Sequence, residues 1–232
     1  KGFAAITGAG VGLGGAIMKA TARAEELNAG LRRIEVQTGE TEAELRSMLQ
    51  GIMDETWSPK DAIASMEELI KMGVRTKDEF ESLLPVFDTF ADATGKNMVY
   101  GIQVMNDVLS ALGKEMSESG EHIDTLTWLI QGTTVEMSDL GRVMRREQAR
   151  IREMGLTFDE IAVAMAALEA EGIKGREAIK AFEGAIKDAE GDIQEFWRGL
   201  GVGADVLEEQ NQLLLESVGL TQSLADENNK SL

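Results

Sequence analysis

The chain has 232 residues, of which 43% are hydrophobic, with two prolines and no cysteine. That is enough apolar material for one large or two small cores, and it leaves no disulfide framework. A formal net charge of −18 argues against sequence-blind binding to DNA phosphates and against docking on anionic lipid, both of which need clustered Lys and Arg.

Residues 2–18 carry no charge between Lys1 and Lys19 and hold six glycines. Thr7-Gly8-Ala9-Gly10-Val11-Gly12-Leu13-Gly14 resembles the cofactor loop of short-chain dehydrogenases, where glycines turn a strand into a helix whose N-terminus holds a pyrophosphate. The rest of that family's chemistry is missing. It pairs a catalytic Tyr with a Lys four residues on; the only tyrosine is Tyr100, and Val104 stands four residues later. The same stretch, at the short edge of the roughly 17–25 residues that cross a bilayer, has the small-xxx-small spacing of packed membrane helices at Gly8/Gly12 and Gly10/Gly14. It reads as a Gly-rich lead, with transient membrane contact as an alternative role.

From residue 16 on, the pattern is helical. Residues 16–36 place Leu27, Leu31 and Ile34 on one stripe. Thr41 and Glu44 form a capping box ahead of Leu45, Met48, Leu49, Ile52 and Met53. Trp57 stands before the Ser58 cap as a candidate hydrophobic staple, and Pro59 sits at the first helical position. Thr76 and Glu79 cap a helix through Phe80, Leu83, Leu84 and Phe87, with Pro85 predicted to kink it. Met98, Ile102, Met105, Val108, Leu109 and Leu112 make a stripe that stops at Gly113; Ile123, Leu126, Leu129 and Ile130 make one that stops at Gly132. Thr133 and Glu136 are predicted to box the next helix, running to about Met154.

Thr157–Ala189 reads as two amphipathic helices joined at Gly172-Ile173-Lys174-Gly175. Thr157 and Glu160 form a capping box, Ile161, Met165 and Leu168 make the apolar face, and Gly172 supplies a left-handed stop. The layout matches one ninety-nine positions earlier: Ser58 falls on Thr157, Met66 on Met165, Leu69 on Leu168, Gly73 on Gly172 and Val74 on Ile173. That recurrence is consistent with an internal duplication. Past Ala189, Phe196, Trp197 and Leu200 are expected to dock, Val206–Val218 to form a last helix, and the polar residues beyond Leu220 to be disordered. The expected fold is all-α: a bundle of about eight to ten short helices, divided into a Gly-rich segment (1–18), a helical module (19–200) and a loosely attached helix with a polar tail (201–232). The start at Lys1 reads as a segment of a longer polypeptide.

Chemistry-bearing residues are few. His122 is the only histidine, so with no cysteine no zinc set is expected, and Glu121 and Asp124 beside it read as helix caps. Arg142, Arg145, Arg146, Arg150 and Arg152, interleaved with Glu147 and Glu153, read as an exposed helix face. Carboxylates such as Glu183, four residues before Lys187, read as solvated pairs. The twelve methionines recur at core spacing. No catalytic, cofactor-binding or metal-binding residue, and no cofactor, is expected.

Over roughly residues 20–190 the chain resembles the tail tape measure proteins of long-tailed phages. The resemblance is carried by Trp57-Ser58-Pro59-Lys60-Asp61-Ala62, Glu68-Leu69-Ile70-Lys71-Met72-Gly73, Phe90-Ala91-Asp92-Ala93-Thr94-Gly95, Met154-Gly155-Leu156-Thr157, Ala164–Leu168 and Gly172-Ile173-Lys174-Gly175. After Gly175 the family often has a small-residue run leading to Leu-Arg, where this chain has Arg176-Glu177-Ala178-Ile179-Lys180. The resemblance implies a structural, non-enzymatic role: a helical chain inside the growing tail tube whose length sets tail length and which leaves before DNA passes. It also implies as partners the tail tube protein, the tail tip and distal tail proteins and the tail assembly chaperones. A trimeric or hexameric homo-oligomer in the virion and no specific nucleic acid binding are expected. The implied places are the tube lumen of the virion and, during assembly, the host cytoplasm.

Overall fold

In a computed structural model the backbone is described for residues 9–52 and 58–229, and side chains for residues 24–52, 58 and 60–219. Among the described residues there are eleven α-helices, one short 3₁₀ turn and no strand. The helices are α1 (Ala9–Thr38), α2 (Glu42–Ile52), α3 (Pro59–Lys71), α4 (Lys77–Thr94), α5 (Met98–Leu112) and α6 (Ser119–Gly132). They continue with α7 (Met137–Met154), α8 (Phe158–Ala170), α9 (Arg176–Asp188), α10 (Ile193–Leu200) and α11 (Ala204–Asn229). The chain separates into two compact units, residues 1–84 and 85–232, the division falling inside α4.

In the first unit, α1 packs on α2 and α3. Leu31, Ile34, Leu45, Leu49, Met66 and Leu69 are almost fully buried, each contributing about 1.5–3 kcal/mol relative to exposure. Gly30 lets α1 approach α3: a Cβ there would lie 2.5 Å from the Ile63 side chain. Arg33 bridges to Glu67 at 2.8 Å across the same pair of helices.

In the second unit, α5 packs on α7, α7 and α10 on α9, and α8 on α6, α9 and α11. α8 departs from the one-sided pattern read from its sequence. All eight residues from Ile161 to Leu168 are buried, not only the Ile161/Met165/Leu168 stripe. Alanines at 162, 164, 166 and 167 present little bulk, so three helices close around α8 and make it a central rod.

The predicted caps form at four helix starts. Thr157 Oγ1 accepts from the Glu160 amide at 3.2 Å while Glu160 accepts from the Thr157 amide at 2.8 Å. The Thr41/Glu44 and Thr76/Glu79 boxes close the same way, and Ser58 accepts from the Asp61 amide. The Thr133/Glu136 box does not form. Thr133 Oγ1 donates back to the Leu129 carbonyl at 2.7 Å, so Thr133 finishes α6 rather than starting α7, and Glu136 is the N-cap of α7 without a side-chain cap bond. Helix continues unbroken through Pro85.

Both ends are more helical than the sequence pattern predicts. α1 begins at Ala9, so Gly10, Gly12 and Gly14 are helical and not a strand-to-helix turn. α11 runs to Asn229, past the expected end near Val218; Leu, Gln, Ala and Glu between 220 and 229 are good helix formers and no proline interrupts them. Trp57 and residues 1–8 lie outside the described residues.

The ninety-nine-residue recurrence is visible in the backbone. α3 (59–71) and α8 (158–170) begin and end at matching positions, and α4 and α9 start at 77 and 176. Both first helices stop in the same hydrogen-bonded turn. The Val74 amide donates to Leu69 O at 3.1 Å around Gly73 (φ 100°), and the Ile173 amide to Leu168 O at 2.9 Å around Gly172 (φ 87°). Burial matches too: Ala62, Met66, Leu69, Phe80, Leu83, Phe87 and Phe90 correspond to Ile161, Met165, Leu168, Ile179, Phe182, Ile186 and Ala189, all buried.

Candidate functional site

His122 on α6 is the residue from which catalytic chemistry would have to start. It lines a cavity of about 570 Å³ together with Lys114, Arg152, Thr157, Phe158 and Asp159. Its ring meets Phe158 edge-on, with centroids 6.1 Å apart. Neither ring nitrogen has a hydrogen-bond partner among the described residues. Burial, assisted by the Lys114 cation, pushes the imidazole below its ordinary range, against the opposing pull of Asp159, Glu121 and Glu118. The Thr125 hydroxyl donates to Asp159 at 2.7 Å. Among the described residues no hydrogen bond ties the imidazole to a hydroxyl or a carboxylate. Glu121 falls in the first turn of α6, where it pairs with Lys114, but Glu118 is the N-cap; Asp124 stands past the first turn and is not a cap, and burial raises its carboxyl. No group of three or more His, Cys, Asp or Glu able to hold a metal occurs among the described residues.

The arginines of α7 do more than decorate a solvated face. Arg145 pairs with Asp107 of α5, and Arg146 with Glu183 of α9 at 2.8 Å. Arg150 pairs at 2.6 Å with Glu147, which is only 3% exposed. Arg142 pairs with Asp139 at 2.9 Å, and Arg152 Nε donates to the Ala111 carbonyl at the end of α5 at 2.9 Å. The expected Glu183–Lys187 pair is present, and Lys187 with Arg146 holds the Glu183 carboxyl below its usual range. The cluster therefore fastens α7 to α5 and α9. Sequence spacing could show the arginines but not their partners on other helices.

A second fastening escaped the sequence reading. Glu169 on α8 accepts from the Thr134 amide and hydroxyl, both at 2.8 Å, and from the Gly175 amide at 3.3 Å. One carboxylate thus joins the α6–α7 connection to the α8–α9 turn. Further along, α8, α10 and α11 leave a groove of about 390 Å³ lined by Val163, Trp197 and Leu207, with Glu160 and Glu208 at its edge.

What the geometry offers, then, is rods, pins and a groove. Comparison with known proteins gives the same class. Residues 48–230 match the family model described as "Phage-related minor tail protein". The chain belongs to this phage tail protein family. The match continues past Gly175, where the departure at Arg176–Lys180 stands, and reaches α11. Among curated relatives, the chain is similar to the "Tape measure protein" of Pneumococcus phage Dp-1, with 27% identity over 222 residues. That alignment covers 89% of this chain and 19% of the relative, so the chain spans about a fifth of the length of the relative it matches. No solved structure matches. Membership in a phage tail family gives the chain a structural role in the tail. The dinucleotide-binding alternative requires a parallel sheet, and the described residues of this minor tail protein relative form none. No described helix is long and apolar enough to cross a membrane.

Proposed function

We propose that the chain is a compact helical module of a tape measure protein, whose parent polypeptide lies in the tail tube lumen, sets tail length during assembly in the host cytoplasm, and leaves before DNA passes. The observation that carries this reading is the similarity to a tape measure protein over 89% of the chain. A helix rises about 1.5 Å per residue, so an extended helical parent converts residue count directly into length. This segment, with its central α8 rod and short helices, suits a folded module attached to such a ruler. The module acts by packing and contact, without catalysis. The tail tube protein, the tip and distal tail proteins and the assembly chaperones are the proposed partners, with a trimer or hexamer in the virion. A charge of −18 limits sticking to DNA that shares the tube.

In-frame shortening of the parent gene outside this module should shorten tails, measured by electron microscopy, in proportion to the residues removed. Unchanged tail length in shortened variants that still assemble tails overturns the ruler role.

A further inference from the structure

α11 is the most acidic helix of its unit, with carboxylates at 205, 208, 209, 216, 226 and 227, and like α5, α6 and α8 it carries no Lys or Arg. Between Gly199 and Asn229 there is no Lys or Arg. Asp205, Glu208, Glu209 and Glu216 make no ion pair among the described residues, whereas all five arginines of α7 are engaged by partners. The same helix exposes apolar surface. Ala204, Leu207, Glu208 and Asn211 line the groove wall, and Leu215, 56% exposed, continues their i, i+3, i+4, i+7, i+11 stripe beyond it. Opposite stands Trp197, half-buried against Phe196 with ring centroids 5.0 Å apart. A groove of about 390 Å³ accommodates one or two large side chains. Its lining includes the acidic Glu208 and Glu160, the latter also capping α8, and no Lys or Arg.

We propose that the stripe from Trp197 and Leu207 to Leu215 docks a basic amphipathic helix of another protein. The partner's apolar side chains enter the groove and its Lys or Arg residues meet the carboxylates of α11. The argument for this occupant is charge complementarity, because an acidic helix with an apolar stripe repels a second acidic copy and attracts a cationic one. The proposal stands apart from the ruler role, since it concerns contact and not length.

The test uses a dye-labelled peptide of repeating Leu-Lys-Lys-Leu pattern, titrated with the chain at about 0.15 M salt and followed by anisotropy. Saturable binding is expected, weakened about tenfold or more by Leu215→Asp, Leu207→Asp and Trp197→Ala. Leu215 is already exposed, so its substitution leaves the fold intact. Val36→Asp, at an 86% exposed position in the first unit, should leave affinity unchanged. The added aspartates strengthen any unspecific attraction of the cationic peptide, so weaker binding isolates the stripe. Equal or tighter binding by Leu215→Asp overturns the proposal. Two other results overturn it by naming another occupant: a dimer in sedimentation velocity abolished by Leu215→Asp, or flotation with neutral phosphatidylcholine vesicles abolished by the same change.

Discussion

At Gly73 and Gly172 the backbone is left-handed, and nothing lies within 4 Å of a Cβ built at either position. The cost of a side chain there is therefore conformational and not steric. Gly172→Ala and Gly73→Ala should each destabilise by about 1–2 kcal/mol, lowering the thermal midpoint by about 2–4 °C per kcal/mol. Similar losses at the two sites are expected because the turns share their hydrogen bonds. His122 gives a pH signature. Its folded-state pKa lies below the unfolded value, so the unfolded chain binds the proton first. The contribution is fully present above the unfolded value near 6.5 and is lost as pH falls below it. Chemical denaturation between about pH 7 and pH 5 should show stability falling with acid, and His122→Leu should flatten that slope. An unchanged slope in the variant would assign the acid sensitivity to carboxylates.

Helix contacts set the next scale. Gly101 of α5 lies under Phe90, and a Cβ there would stand 2.6 Å from the ring of a residue 1% exposed. Alanine improves helix propensity by about 1 kcal/mol, but overpacking a buried ring costs about 1–3 kcal/mol. Gly101→Ala should thus be neutral to destabilising in a thermal melt, against the gain alanine gives at an open helical glycine. Gly184, with nothing near its Cβ, is the matched control and should be stabilised. At Glu147 the asymmetry of burial decides. Its cations Arg146, Arg150 and Lys187 stay about half exposed, while the carboxylate does not. Removing a partner by Arg150→Ala should cost about 1–3 kcal/mol in urea unfolding, more than the 0–1 kcal/mol typical of an exposed pair such as Lys180–Glu177. This scale also separates what was legible in the sequence from what was not. Caps and stops are local, so Thr157/Glu160 and Gly172 could be read directly. The Thr133/Glu136 pair had the right spacing, but the hydroxyl found the Leu129 carbonyl first. The burial of every residue from Ile161 to Leu168 depends on three neighbours, and Arg145–Asp107 and the Glu169 clasp join residues far apart in the chain; spacing carries no signal for either. The groove beside Trp197 was half legible: Phe196, Trp197 and Leu200 were expected to dock, while the wall supplied by α11 was not.

For the molecule as a whole, charge is the dominant long-range term. A formal excess of 18 negative charges repels itself in the compact state. The exposed ion pairs lost to screening are worth little each. Raising salt from about 0.01 to 0.15 M shortens the screening length from about 30 to 8 Å, so the thermal midpoint should rise. A fall would mean that the α7 pins outweigh the net repulsion. The core itself has an unusual material. Nine methionines, at 48, 66, 98, 105, 116, 137, 144, 154 and 165, are buried. Thioethers are unbranched and pliable, so such an interior can absorb neighbouring substitutions by re-threading instead of opening voids. Those sulfurs are also shielded from peroxide only while the helices stay closed. Sulfoxide formation, mapped peptide by peptide, would therefore show which parts of the interior breathe and in what order.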